Sequence, residues 1–176
     1  MTDKLSHVGE SGEARMVDVS PKAESERSAT ATGLIKMAPA TLEAIVNAQI
    51  KKGDVLGVAR VAGVMGAKKT SELVPLCHPL ALTDIQITLT PDPALPGVRA
   101  QATVKTVGRT GVEMEALTAV SVALLTVYDM AKAMDRLMEI SDISLLHKSG
   151  GTRGEFSRLD GTGSATYRGD AGTGGI

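Results

Sequence analysis

Aromatic side chains are nearly missing: the chain has no Trp and only Tyr128, Phe156 and Tyr167. The core of these 176 residues must therefore be aliphatic, with eight Met to fill irregular gaps. The scarcity also removes the stacking platform on which single-stranded nucleic acid lies. Net charge adds no global pull towards a polyanion, since 19 basic residues stand against 20 acidic ones. With Cys77 alone there is no internal disulfide, which fits a reducing cytoplasm. There is no cysteine pair and no helically spaced histidine pair, so no structural zinc site is expected. The longest charge-free apolar run, 116–128, has 13 residues and is too short to cross a bilayer. Residues 1–20 contain no apolar signal core, so no export is expected.

What is present is organised around 111–138, GVEMEALTAVSVALLTVYDMAKAMDRLM. Leu117, Val120, Leu124, Val127, Ala131, Met134 and Met138 recur at steps of three and four, one apolar helical seam. Glu113 and Glu115 suit the positive N-terminal end. Because 116–128 is uncharged on every face, the helix should be covered twice, by a sheet and by a second subunit.

Along the rest of the chain, 1–14 reads as a loose polar arm and 30–37 as a first strand. Pro39 opens a helix that runs towards Gly53, and 55–73 forms a second, with Gly57, Gly63 and Gly66 permitting close helix contact. Two prolines stiffen the turn at 74–79. Alternating residues at 82–90 and 98–107 predict an antiparallel hairpin, and 140–146 a last strand. Beyond Gly151 the chain is poor in apolar residues and reads as a disordered tail, 152–176, leaving 15–151 as one domain. The order β-α-α-β-β-α-β predicts an α+β fold of ferredoxin-like type, an antiparallel sheet with helices on one face.

Several chemistries can be weighed from the residues alone. The run 63–70 fails as a phosphate loop, because Lys68 stands where that motif needs Gly. His7 falls in the loose arm, and Cys77 taken alone is a small apolar residue. His78, held rigidly between prolines, divides evenly between a structural and a functional role. Lys51, Lys52, Lys68, Lys69, Lys132 and Lys148 stand at element ends, where as a group they could bind a polyphosphate. Asp129 interrupts the apolar helix with Lys132 three residues on; exposed, the two are an ordinary ion pair, and desolvated they are tuned for proton transfer.

The runs GEARMVDVS, KKGDV at 51–55, LCHPL at 76–80, GRTGVEMEALTA at 108–119, TVYDMAKA at 126–133 and LLHKSGG at 145–151 resemble those of the cyclic pyranopterin monophosphate synthases of molybdenum cofactor biosynthesis. The resemblance covers roughly residues 9–151 and implies a lyase. Its substrate would be 3',8-cyclo-7,8-dihydroguanosine 5'-triphosphate, rearranged to the cyclic pyranopterin monophosphate with loss of diphosphate. It implies Asp129, Lys52 and Lys132 as catalytic residues. Substrate contacts would fall on Leu76, Cys77, His78, Met114 and Glu115, with Lys68 and Lys148 as further phosphate contacts. It implies no metal or cofactor held by the protein, Mg2+ with the triphosphate being allowed, and a homohexamer built as three dimers.

A different class of protein fits much of the pattern: a non-catalytic oligomer that sequesters a nucleotide also needs the lysines and the glycine turns. It gives no reason for a carboxylate at Asp129, which only weakens polyphosphate binding. One geometric point bears on assembly. Glu115 and Asp129, 14 residues apart, face the same way about 21 Å apart along a helix axis. Two such helices paired antiparallel across Thr118, Val122 and Thr126 would bring Glu115 of one chain to Asp129 of the other.

Overall fold

The computed structural model describes residues 13–151, 154–158 and 165–168. Ser25–Lys36 (β1) leads through the helices Pro39–Val46 (α1), Val55–Lys68 (α2) and Thr70–Leu73 (α3) to the hairpin Leu82–Asp92 (β2) and Gly97–Gly108 (β3). The helix Glu113–Ala131 (α4) follows, then Glu139–Ser149 (β4), Glu155–Arg158 (β5) and Ala165–Arg168 (β6). The strands form one antiparallel sheet in the order β2-β3-β1-β4-β5-β6. Its first four strands have the ferredoxin-like order, and the helices lie on one face, so the α+β expectation holds.

Small residues let α4 settle closely on the sheet. Ala29 and Ala31 on β1, opposite Val104 and Ala102 on β3, are fully buried, as are Ala116, Ala119 and Ala123 on α4. At Gly33 a Cβ would lie 2.9 Å from Val120 Cγ1 and 3.0 Å from Leu124 Cδ1, so glycine is needed beneath the helix. The larger buried side chains Val120, Leu124 and Val127 complete the seam read from the sequence.

The second face of α4 is covered differently from the expectation. It is α2 of the same chain, not another subunit, that packs there: a Cβ on Gly66 would meet Val122 Cγ2 at 2.8 Å, and one on Gly63 would meet the Ala119 carbonyl oxygen at 2.9 Å. The glycines of α2 thus do permit close helix contact. An α4–α4 pairing across Val122 is correspondingly blocked.

Two boundaries also differ. The helix stops at Ala131, with Lys132 as its C-cap, rather than continuing to Met138. Asp135 is the physical reason: Oδ2 accepts from the Ala38 amide and Oδ1 from the Leu137 amide, tying the chain into a non-helical return. Met134 is consequently 56% exposed, while Met138 rejoins the core from outside the helix. In the expected tail, β5 adds to β4 and β6 to β5, so 155–158 and 165–168 are strands instead of disordered chain. Backbone pairing on a sheet edge recruits these residues without needing apolar side chains. Residues 1–12 of the expected arm at 1–14, His7 included, and the rest of the tail lie outside the described residues.

Candidate active site

At the N-terminal end of α4 the chain forms a cleft of about 410 Å³. The 74–79 turn supplies Leu76, Cys77 and His78, and the first turn of α4 supplies Glu113, Met114 and Glu115. Arg27 and Ser28 come from β1, Lys148 and Ser149 from the end of β4, Arg109 and Thr110 from the approach to α4, and Val17, Val19 and Lys22 from the N-terminal segment. Lys22, Arg27, Arg109 and Lys148 face Glu113 and Glu115, leaving an excess of positive charge suited to a polyphosphate.

Each group is held. Cys77 donates its amide to the Val74 carbonyl, closing the turn that presents His78. His78 Nε2 lies 2.9 Å from the Val17 carbonyl oxygen, which can only accept, so Nε2 carries the proton and Nδ1 is the acceptor of the neutral ring. Arg27 donates from Nε to the Gly108 carbonyl at 2.9 Å. Lys148 Nζ donates to Glu113 Oε1 at 3.0 Å, with side chains only 20% and 28% exposed. Beyond Lys148, Gly150 adopts φ +89°, and a Cβ there would lie 2.2 Å from the Glu26 carbonyl oxygen. Only glycine makes that turn.

Glu115 is 4% exposed. Burial pushes its carboxyl up to about 6, with the negative charge of Glu113 adding to the effect. Burial raises the Cys77 thiol as well, helped by Glu115. Glu115 can therefore carry or release a proton near neutrality.

The other predicted residues meet at the far end of α4. Lys132 Nζ approaches Asp129 Oδ1 at 2.7 Å, and Lys52 Nζ approaches Oδ2 at 2.8 Å. Asp129 is 56% exposed rather than desolvated, and the two ammonium groups, Lys132 foremost, hold its carboxyl down at about 2. The opposed tuning expected from the sequence thus reduces to its lowering half. Lys132 is correspondingly raised by Asp129. Lys68 joins neither group; it is exposed at the end of α2 and does not line the cleft.

The chain thus brings Leu76, Cys77, His78, Met114, Glu115 and Lys148 together, and separately Lys52, Asp129 and Lys132. Lys22, Arg27 and Arg109 were not singled out in the sequence, and Glu113 was named only as an acid at the helix start. Arg109 and Glu113 lay within the 108–119 run, but Arg27 looked like one member of a charged stretch. Its clue was parity, since it shares a strand face with the buried Ala29 and Ala31.

Residues 16–151 match the profile of the MoaC family. A cyclic pyranopterin monophosphate synthase of Dinoroseobacter shibae is 59% identical over 152 residues, 86% of this chain and 96% of that protein. Its counterpart in Cereibacter sphaeroides is 60% identical over the same shares. That of Brucella ovis is 54% identical over 160 residues, 91% of this chain and 97% of that protein. A family match across the whole cleft-bearing domain, with relatives this similar along nearly their full length, means that the chain belongs to the MoaC family.

Proposed function

We propose that this chain is the lyase that converts 3',8-cyclo-7,8-dihydroguanosine 5'-triphosphate to cyclic pyranopterin monophosphate, releasing diphosphate, in molybdenum cofactor biosynthesis. The observation that carries the reading is the 54–60% identity to synthases of that name along almost their entire length. The test is direct: the purified chain with this triphosphate should release diphosphate and form the cyclic monophosphate. Binding without turnover would leave the sequestering protein as the better description.

In this reading the cleft holds the substrate. Leu76, Cys77, His78 and Met114 bound its walls, and Lys148 with Arg27 and Arg109 meets the phosphates. Glu115, titrating near neutrality, and His78, with Nδ1 as acceptor, exchange protons during the ring rearrangement. Asp129, Lys52 and Lys132 form the catalytic group. While it holds both ammonium groups, Asp129 is too acidic to accept a proton at neutral pH. A phosphate that draws a lysine away raises the carboxyl again, and the freed ammonium stabilises the leaving diphosphate. Lys68 is retained as an outer phosphate contact. The reading needs no protein-held metal; Mg2+ can accompany the triphosphate.

The two groups stand at opposite ends of α4, about 21 Å apart at 1.5 Å per residue. The reading therefore includes a second copy of the chain that brings its own Asp129 group to this cleft, in a homohexamer of three dimers. Val61, Met65 and Leu125, each more than half exposed on α2 and α4, offer apolar surface for such an assembly. The cytoplasm is the compartment proposed, where Cys77 stays reduced.

A further inference from the structure

Lys148 sits on a strand gripped from both sides. β1 pairs with it through Ala29, and β5 through Phe156. The β5 pairing is short: among the described residues, His147 faces Ser157 and Lys148 faces Phe156. Neighbouring strand residues point to opposite faces, so His147 and Lys148 divide the work. Lys148 enters the cleft and meets Glu113. On the other face, His147 Nε2 bonds Glu155 Oε1, a diagonal partner two residues from Ser157 on β5. The chain between them turns through Gly150, Gly151 and Gly154, all with positive φ. The family match ends at residue 151, just before β5.

We infer that Glu155 is a positioning residue for the reaction: by anchoring β5 to His147 it fixes the end of β4 and so the place from which Lys148 reaches the phosphates. The inference rests on Lys148 being a phosphate contact, as proposed above. Glu155 does not line the cleft and touches no substrate; it acts through the strand. Without it, the β5 side of the grip loses its His147–Glu155 bond beside the backbone pairing, and the Lys148 ammonium samples a wider arc.

The experiment compares KM and kcat for the cyclic dihydroguanosine triphosphate in Glu155→Ala, Glu155→Gln, Lys148→Met and the Glu155→Ala/Lys148→Met double variant of the full chain. Glu155→Ala should raise KM about threefold to fivefold with kcat nearly unchanged, as expected for loss of one half-exposed pair. Glu155→Gln keeps a hydrogen-bond acceptor and should restore most of that loss. In the Lys148→Met background, Glu155→Ala should add almost nothing, because the group it positions is gone. An unchanged KM in Glu155→Ala overturns the inference, and so does an equal further rise in the double variant. An unchanged KM in Lys148→Met fails differently: it removes the phosphate reading itself, and the inference with it.

Discussion

Lys52 and Asp129, 77 residues apart in the chain, are joined twice: Lys52 Nζ donates to Asp129 Oδ2 and to the Asp129 carbonyl oxygen, both at 2.8 Å. One ammonium thereby ties the turn after α1 to the last turn of α4, with Lys132 on the remaining carboxylate oxygen. Such a cluster adds little to stability where it is exposed, since solvent screens it. Its value is that three charged groups are fixed at one point.

Replacing Asp129 with Ala should abolish product formation while leaving folding and triphosphate affinity close to wild type. Product formation in single-turnover assays, with substrate binding measured alongside, checks this. Near-normal turnover would make Asp129 a surface ion pair and nothing more.

The same carboxylate carries a pH signature. Its folded pKa, about 2, lies below the ordinary 3.8, so its stabilising effect is present above pH 4 and lost as pH falls towards 2. Relative to Asp129→Asn, wild type should lose stability across that window and run parallel to it above pH 5. Denaturation midpoints at closely spaced pH values decide the matter; parallel curves down to pH 2 would mean that the lysines do not hold the group in solution.

Glu115 should behave with the opposite sign. Its folded pKa, about 6, lies above the ordinary 4.5, so the native state favours the protonated form. Wild type should lose stability relative to Glu115→Gln as pH rises from 4.5 to 6, by about 2 kcal/mol at 1.4 kcal/mol per pKa unit. Urea unfolding of both proteins at pH 4.5 and pH 7 measures it, and a pH-independent difference would show that Glu115 titrates in the native cleft as it does in the unfolded chain.

Lys148→Met should weaken triphosphate binding far more than binding of the parent nucleoside. A partly buried charged hydrogen bond contributes roughly 1.5–3 kcal/mol, about ten- to a hundredfold in affinity. Lys68→Met, on an exposed helix end, should change either by less than about twofold. Calorimetric titration of both ligands separates the two lysines, and equal weakening of both ligands by Lys148→Met would refute the assignment.

How far the sequence disclosed this molecule follows from what each signal depends on. The α4 seam, the hairpin and the ferredoxin-like order were readable because periodicity is local. Where α4 ends was not, since it depends on Asp135 bonding the amides of Ala38 and Leu137, one of them 97 residues away. Gly63 and Gly66 signalled close contact, yet nothing in their spacing said that the neighbour would be α4 of the same chain. Lys148, His78 and Glu115 could be named from motifs, whereas Arg27 joined the cleft only when β1 took its register beside β3 and β4. β5 was hidden because backbone pairing leaves little trace in composition.

The separation of Glu115 from Asp129 gives the last prediction. Each is held at its own end of α4, and no bending of a 19-residue helix brings them to one ring system. A single chain therefore contributes half of two sites, or else one group is idle. Since α2 already occupies the Val122 face, a partner must approach elsewhere, and the test should not depend on knowing where. Glu115→Ala and Asp129→Ala proteins, each inactive, are mixed under conditions where subunits exchange. In a mixed dimer one site carries both lesions and the other carries none. With random exchange half the dimers are mixed and each has one good site of two, so activity should return to roughly a quarter of wild type. Labelled subunits verify exchange independently. If exchange is complete and activity stays at zero, each site belongs to one chain, and the Asp129 group must act without the cleft that holds Glu115.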